Sequence, residues 1–182
     1  MAVAEHDGRV SARRAGGSRA ALFAITAAVV LVVDVVTKSV AVGILTPGER
    51  VSLFGESVSC LLIRNSGAAL AWGESQPALL TLLVCAVVGA VAWRGSTVVS
   101  PVAAVGLGLV LGGSVGNLVD RVFRAPGPLR GAVVDFLSFG WSPTFNAADV
   151  CVLVGVVTLC WLVVTETAAP VAERVWSADD AF

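Results

Sequence analysis

The sequence has no tyrosine and only one histidine, His6, close to its start. It therefore lacks the positioned imidazole that serine and cysteine hydrolases use as a base, and it lacks the usual ligand set of zinc. Its four cysteines form no CxxC pair. Charged residues make up only 14% of the 182, and the net charge of -1 gives no basic excess for binding nucleic acid. These shortages predict no metal, no organic cofactor and no nucleic-acid partner.

Hydrophobic residues, in contrast, are abundant, at 57% of the chain with a mean hydropathy of +0.89. Such a composition is too apolar for a soluble domain and indicates an integral membrane protein. The first apolar run is too long for a secretory signal peptide and ends without a cleavage site. We expect a membrane α-helical fold with four transmembrane helices, at residues 20–44, 77–93, 97–120 and 146–166.

Residues 46–74 differ from these apolar runs because glycine and proline interrupt short strand-like stretches. Backbone groups without partners are not tolerated facing lipid, so this segment predicts a small β-structured extracytoplasmic platform between helices 1 and 2. Its polar turn at 64–69 fits either close approach of a ligand or an ordinary tight turn. A later stretch, 133–137, is too short for a span and indicates a strand or an interfacial turn.

The third helix is free of charge from Gly95 to Val119 and carries glycine at every fourth position, at Gly108, Gly112 and Gly116. Small residues at that spacing let a second helix pack against the backbone. We therefore expect these glycines to serve helix packing, with direct contact to a ligand as the alternative.

The polar residues within or beside the predicted spans fall on one side of the membrane, whichever way the chain is oriented. They include four carboxylates, and two carboxylates held close together share a proton and can act as acid and base on a water molecule. Asp34 and Lys38, spaced i,i+4, share a helix face and form either part of this site or a structural ion pair. A proton-relay transporter and a structural membrane subunit are the alternatives, and confinement of the polar groups to one level disfavours the relay. This polar set consists of Asp34, Lys38, Asn65, Asn117, Asp120, Arg121, Asp135, Asn146 and Asp149.

The orientation follows from four arginines between residues 9 and 19, which resist translocation and predict cytoplasmic termini. The expected organisation is a disordered cytoplasmic tail at 1–19, one four-helix domain at 20–166 and a cytoplasmic tail at 167–182. The polar site would then lie at the extracytoplasmic face.

Five sequence blocks, in order, resemble those of lipoprotein signal peptidases, the type II signal peptidases of bacteria. The blocks are DVVTK at 34–38, NSGAA at 65–69, GGSVGNLVDR at 112–121, VVDF at 133–136 and FNAAD at 145–149. The resemblance implies a monomeric aspartyl endopeptidase of the bacterial cytoplasmic membrane. Its expected substrates are prolipoproteins with a diacylglyceryl group on the lipobox cysteine, and membrane lipids are its other expected partners.

The resemblance also implies that the catalytic pair is Asp135 and Asp149. Composition alone does not choose these two over Asp120. The positions that the resemblance assigns to shaping or bracing the site are Asp34, Lys38, Asn65, Gly67, Gly113, Asn117, Asp120, Arg121 and Asn146.

Overall fold

The structure is a computed structural model that describes residues 2–55, 57–67, 75–98, 100–140 and 142–179, with only the backbone described for 2–15 and 167–179. Four helices and three strands form the fold. In chain order they are α1 (Ala2–Ile44), β1 (Arg50–Phe54), β2 (Val58–Asn65), α2 (Pro77–Gly95), α3 (Pro101–Phe123), β3 (Val133–Phe139) and α4 (Ala147–Asp179).

Four helical segments are long and apolar enough to cross a membrane: Gly16–Ile44, Pro77–Gly95, Pro101–Phe123 and Ala147–Glu166. At about 1.5 Å rise per residue, each approaches or exceeds the roughly 30 Å of a bilayer core. The predicted fold class of four membrane helices with a small β-structured element between the first two is confirmed.

Two helices continue beyond the boundaries that the sequence predicted. The start of α1 is Ala2, although residues 1–19 were expected to form a disordered tail, and α4 continues past Glu166 to Asp179. The apolar run marks where a helix enters hydrocarbon, whereas helical hydrogen bonding can continue into water where propensity allows. Alanine and arginine, which favour helix, each occur four times in residues 2–19 of the N-terminal extension. The cytoplasmic location of both ends stays a prediction.

The sheet is antiparallel with the order β1-β2-β3, so the platform draws its third strand from the connection between α3 and α4. The sequence indicated a strand or turn at 133–137 but not its pairing with β2. The sheet rests on the end of α1, where Leu62, Val134 and Phe136 pack with Ala41. Residues 68–74 of the predicted platform lie outside the described residues.

Helix α3 is central and contacts each of the other three helices. Its glycines make this close packing possible, because a Cβ at Gly108 would lie 2.7 Å from Cβ of Thr26 on α1. On another face, a Cβ at Gly113 would lie 2.6 Å from the carbonyl oxygen of Ala148 at the start of α4. The prediction that the glycines of this helix serve backbone packing is confirmed.

Candidate active site

Asp135 lies on β3 with only 3% of its surface exposed. Each oxygen of its carboxylate accepts a hydrogen bond from an amide side chain. Nδ2 of Asn65, the last residue of β2, donates to Oδ2 at 2.9 Å, and Nδ2 of Asn146 donates to Oδ1 at 2.7 Å. The side chains that orient this carboxylate therefore come from the end of β2 and from the residue before α4.

Asp149 lies in the first turn of α4 and forms a reciprocal cap with Asn146, the residue before the helix. The backbone N–H of Asp149 donates to Oδ1 of Asn146 at 3.0 Å, and the backbone N–H of Asn146 donates to Oδ2 of Asp149 at 3.1 Å. Such a box satisfies two N-terminal backbone donors, and the helix dipole favours a negative charge at this end. Local helix capping thus fixes the side chain of Asp149.

Asn146 links the two aspartates, because its backbone and side chain hold Asp149 while its amide donates to Asp135. The same amide lies 3.2 Å from Oδ1 of Asn117 on α3, and Nδ2 of Asn117 donates to Oδ1 of Asp149 at 2.9 Å. The aspartate pair, Asp135 and Asp149, is therefore held by a continuous amide network.

A second group of charges, the ion cluster, consists of Asp34, Lys38, Asp120 and Arg124. Nζ of Lys38 lies 2.7 Å from Oδ2 of Asp34 and 3.1 Å from Oδ2 of Asp120, and it donates to Oδ1 of Asn117 at 2.7 Å. All three ammonium protons thereby have an acceptor. Lys38 is 1% exposed and Asp34 is fully buried, so each charge depends on this pairing.

The ion cluster also positions the residues next to the aspartate pair. Oδ1 of Asp34 accepts the backbone N–H of Ala148 at 3.0 Å, one residue before Asp149. Oδ2 of Asp120 accepts the backbone N–H of Val134 at 3.1 Å, one residue before Asp135. Because Lys38 contacts both acceptors, the cluster fixes β3 and the start of α4 relative to each other.

Arg121 contacts the turn that follows β2 and not Asp120, the residue beside it. Its guanidinium donates to the backbone carbonyls of Ser66 and Gly67, in the turn that follows β2. The backbone N–H of Gly67 in turn donates to Oδ1 of Asn65 at 3.0 Å, which leaves the Asn65 amide free to reach Asp135. Adjacent residues on a helix point in different directions, so Arg121 does not pair with its neighbour.

Arg124 is the cation that pairs with Asp120, through its Nε and Oδ1 of the carboxylate. Sequence reasoning missed it, although its position four residues after Asp120 on the same helix was an available signal. The backbone donors of Ala148 and Val134 were also missed, and no side-chain pattern marks them.

The pKa of Asp135 is raised from 3.8 to about 6. Burial is the main cause because it removes the carboxylate from water, and the charge of Asp149 adds to the increase. The hydrogen bonds from Asn65 and Asn146 oppose it by stabilising the ionised form. Asp135 can therefore exchange a proton not far below neutral pH.

Both aspartates line a cavity of about 590 Å³. One wall is apolar and comes from the membrane helices, with Leu80 on α2 and Val152 on α4 among its residues. The 142–145 loop before α4 also lines the cavity. A substrate with an apolar part within the bilayer and a polar bond at the membrane surface would fit this arrangement.

Fold and site together define a multi-pass membrane protein with a pair of aspartates, one buried and one half-buried, at one end of a four-helix bundle. The family model described as signal peptidase (SPase) II matches residues 26–165. The chain belongs to the signal peptidase II family and is a bacterial multi-pass membrane protein of that type.

The similar curated proteins are lipoprotein signal peptidases of mycobacteria. That of Mycolicibacterium smegmatis is 54% identical over 141 residues, which cover 78% of this chain and 60% of that protein. That of Mycobacterium tuberculosis H37Rv is 55% identical over 73% of this chain and 66% of its own length. The chain thus spans about three fifths to two thirds of these relatives. The Mycobacterium avium protein is 52% identical, with 78% of each chain covered.

Two solved structures of bacterial membrane enzymes share the fold. The first, determined by the in meso method at 2.3 Å resolution, has a TM-score of 0.71 and 23% identity, over 80% of this chain and 88% of that one. The second, at 1.9 Å, has a TM-score of 0.65 and 26% identity, over 76% of this chain and 90% of that one.

Proposed function

We propose that the chain is a membrane aspartyl endopeptidase that cleaves signal peptides from prolipoproteins. The proposed cleavage site is the bond before the lipobox cysteine, after that cysteine has received its diacylglyceryl group. Membership of the signal peptidase II family supports the reaction class and the printed names of the relatives support the substrate class.

One observation carries the assignment of the aspartate pair as catalytic. Ion pairs hold the carboxylates of Asp34 and Asp120, whereas among the described residues Asp135 and Asp149 meet amides and form no ion pair. Carboxylates without a fixed cation, held near each other in a cavity, can exchange a proton during a reaction. This distinction supports Asp135 and Asp149 over Asp120.

In the proposed mechanism, Asp135, whose pKa burial raises, is the carboxyl that carries the proton, and Asp149 serves as the base. Asp149 removes a proton from a water molecule while the water oxygen attacks the scissile carbonyl carbon. Asp135 donates its proton to the carbonyl oxygen, which gives a neutral gem-diol. Collapse of the gem-diol returns a proton to Asp135, and Asp149 passes its proton to the departing nitrogen.

The proposed surroundings of this reaction are those of the bacterial cytoplasmic membrane, with both termini cytoplasmic and the aspartate pair at the extracytoplasmic face. The apolar cavity wall from α2 and α4 supports a substrate whose acyl chains stay in the bilayer. We propose that the enzyme acts as a monomer, since one chain supplies both aspartates and all the groups that hold them.

The test is cleavage of a diacylglyceryl-modified lipobox peptide by the purified chain and by the variants Asp135→Asn and Asp149→Asn. Asparagine keeps the size of aspartate but has no acid or base function. We expect each variant to bind the peptide and to lose roughly 10³-fold or more in turnover. Glu166→Gln, a matched carboxyl-to-amide change at an exposed position outside the cavity, should cleave like wild type.

Near-wild-type turnover in either folded aspartate variant would refute the catalytic pair. In that case Asp120→Asn becomes the next variant to assay. Absence of cleavage by the wild-type chain, with the peptide bound, would refute the substrate assignment itself.

A further inference from the structure

A second polar cluster lies on the sheet, away from the aspartate pair. Nη1 of Arg50, on β1, donates to Oγ of Ser59 at 2.6 Å and lies 3.4 Å from Oγ of Ser138. Ser59 and Ser138 are directly opposite each other on β2 and β3 and are 1% and 3% exposed. The three strands thus hold one arm of the guanidinium in a fixed position.

The rest of this guanidinium has no acidic partner. Among the described residues, no carboxylate forms an ion pair with Arg50, and its Nε and Nη2 groups make no hydrogen bond. A cavity of about 1140 Å³ lies beside it, lined also by the serines Ser52, Ser57 and Ser59. A cation with free donors among hydroxyl groups is suited to bind a phosphate, because arginine can donate two parallel hydrogen bonds to its oxygens.

The position of this cavity relates it to the membrane surface. Ser138 is on β3, the strand that also carries Val134 and Phe136. Val134 and Phe136 pack on Ala41 at the end of α1, where that helix leaves the bilayer. The Arg50 cluster therefore lies on the sheet that meets the end of a membrane helix.

Large apolar side chains are exposed at the tip of the β1–β2 hairpin and on the adjoining β3, next to or among the residues that line the cavity. Phe54 is 77% exposed and Leu53 is 50% exposed, and Phe139, 43% exposed, is part of the cavity lining. Large exposed apolar groups next to a cation are typical of surfaces that contact lipid, where aromatic rings lie at the level of the headgroups.

We propose that the cavity at Arg50 binds the phosphate group of an anionic membrane phospholipid, with Phe54 and Leu53 against the adjoining acyl region. The lipid would hold the β1–β2 hairpin on the membrane surface. This binding does not depend on the proposed peptidase activity, because none of its groups contacts the aspartate pair.

The experiment measures lipid binding to the purified full chain in a neutral detergent by native mass spectrometry. Phosphatidylglycerol is titrated against diacylglycerol with the same acyl chains, which lacks the phosphate. Wild type should bind phosphatidylglycerol in preference to diacylglycerol, and Arg50→Gln should bind it about tenfold more weakly, since charge-assisted hydrogen bonds are lost. Arg64→Gln, the same change at an exposed position on β2, should bind like wild type.

A folding control, a second Arg50 variant and a competition with inorganic phosphate complete the test. Thermal unfolding without added lipid checks that each variant is folded, and Arg50→Lys, which keeps the charge but not the planar fork, should lose about threefold. Equal weakening in Arg50→Gln and Arg64→Gln, or weakening in neither, would overturn the proposal. Equal binding of diacylglycerol would also overturn it. Displacement of the lipid by millimolar inorganic phosphate would overturn the lipid assignment in favour of a free-phosphate site.

Discussion

Two pairs of aspartates lie near each other in this protein, and they differ in what compensates their charge. Asp34 and Asp120 meet the ammonium of Lys38. Asp135 and Asp149 meet only neutral amide donors in the part of the chain that the structure describes. Burial penalises a carboxylate in both places, but among the described residues only the carboxylates of the first pair are in an ion pair with a cation.

This difference distinguishes the carboxylates that position the backbone from those that are proposed to react. The carboxylates of Asp34 and Asp120 are held in ion pairs, and they accept the backbone N–H groups of Ala148 and Val134. A carboxylate held by amides keeps its orientation and can still gain or lose a proton. Asn117 connects the two groups, because it accepts from Lys38 and donates to Asp149.

The largest effect should come from removal of the cation in the ion cluster. Lys38→Met leaves Asp34 and Asp120 buried without their shared partner, so we expect the free energy of unfolding to fall by about 3–5 kcal/mol. Thermal or denaturant unfolding of the purified chain in detergent measures it. Arg94→Met, a change of an exposed cation at the α2–α3 turn, should alter stability by less than about 0.5 kcal/mol.

A double variant sharpens this expectation. Adding Asp34→Asn to Lys38→Met removes the charge that has lost its ion-pair partner, while Asp120 keeps its ion pair with Arg124. The double variant should therefore recover part of the lost stability. If Lys38→Met unfolds like wild type, the ion cluster does not stabilise the fold.

The sequence was sufficient for the parts of this fold that depend on hydrophobic length and small-residue spacing. The four spans follow from apolar runs, and the packing of α3 follows from glycines such as Gly108. The joining of β3 to the sheet was not predictable, because strand pairing between distant segments depends on the tertiary arrangement. For the same reason the sequence could not show that the ion cluster accepts the backbone N–H groups of Val134 and Ala148, since almost any residue supplies a backbone N–H.

The polar residues of the site were identifiable from the sequence, but their division into two groups was not. The predicted topology places four carboxylates on one side of the membrane. Only the residues that form hydrogen bonds or ion pairs with them distinguish Asp120 from Asp135. Asn65, the partner of Asp135, is 70 residues away from it in the chain, whereas Arg124, a partner of Asp120, is only four residues away. The resemblance to lipoprotein signal peptidases supplied the choice of pair, and the amide network gives that choice a physical reason.

The second effect concerns Asp135, whose charge is buried without a cation. Its pKa of about 6 in the folded chain lies above the ordinary 3.8, so the ionised form destabilises the fold. This penalty is absent below about pH 4, grows as the pH rises from 4 to 6 and is complete above that, at roughly 3 kcal/mol. Asp135→Asn removes the charge and should stabilise the protein at about pH 8.

Thermal unfolding of wild type and Asp135→Asn across this pH range tests the expectation. The advantage of the variant should shrink towards zero at about pH 4, where the wild-type carboxyl is protonated. Glu166→Gln, at an exposed position, should give no comparable pH-dependent difference. A variant less stable than wild type at high pH would mean that Asp135 is stabilised by its charge, as Asp34 is by Lys38.

The smallest effect should come from one amide of the network. Asn65→Ala removes a donor that favours the ionised form of Asp135, so the pKa of that carboxyl should rise further, by up to about one unit. If Asp135 is the proton donor in cleavage, turnover falls as it loses its proton, and the basic limb of the pH profile should move to higher pH by the same amount. Ser66→Ala is the matched control, because Ser66 contributes only a backbone carbonyl to this turn. A limb that stays in place or moves to lower pH would mean that Asp135 does not supply the proton, and the roles of the two aspartates would be reversed.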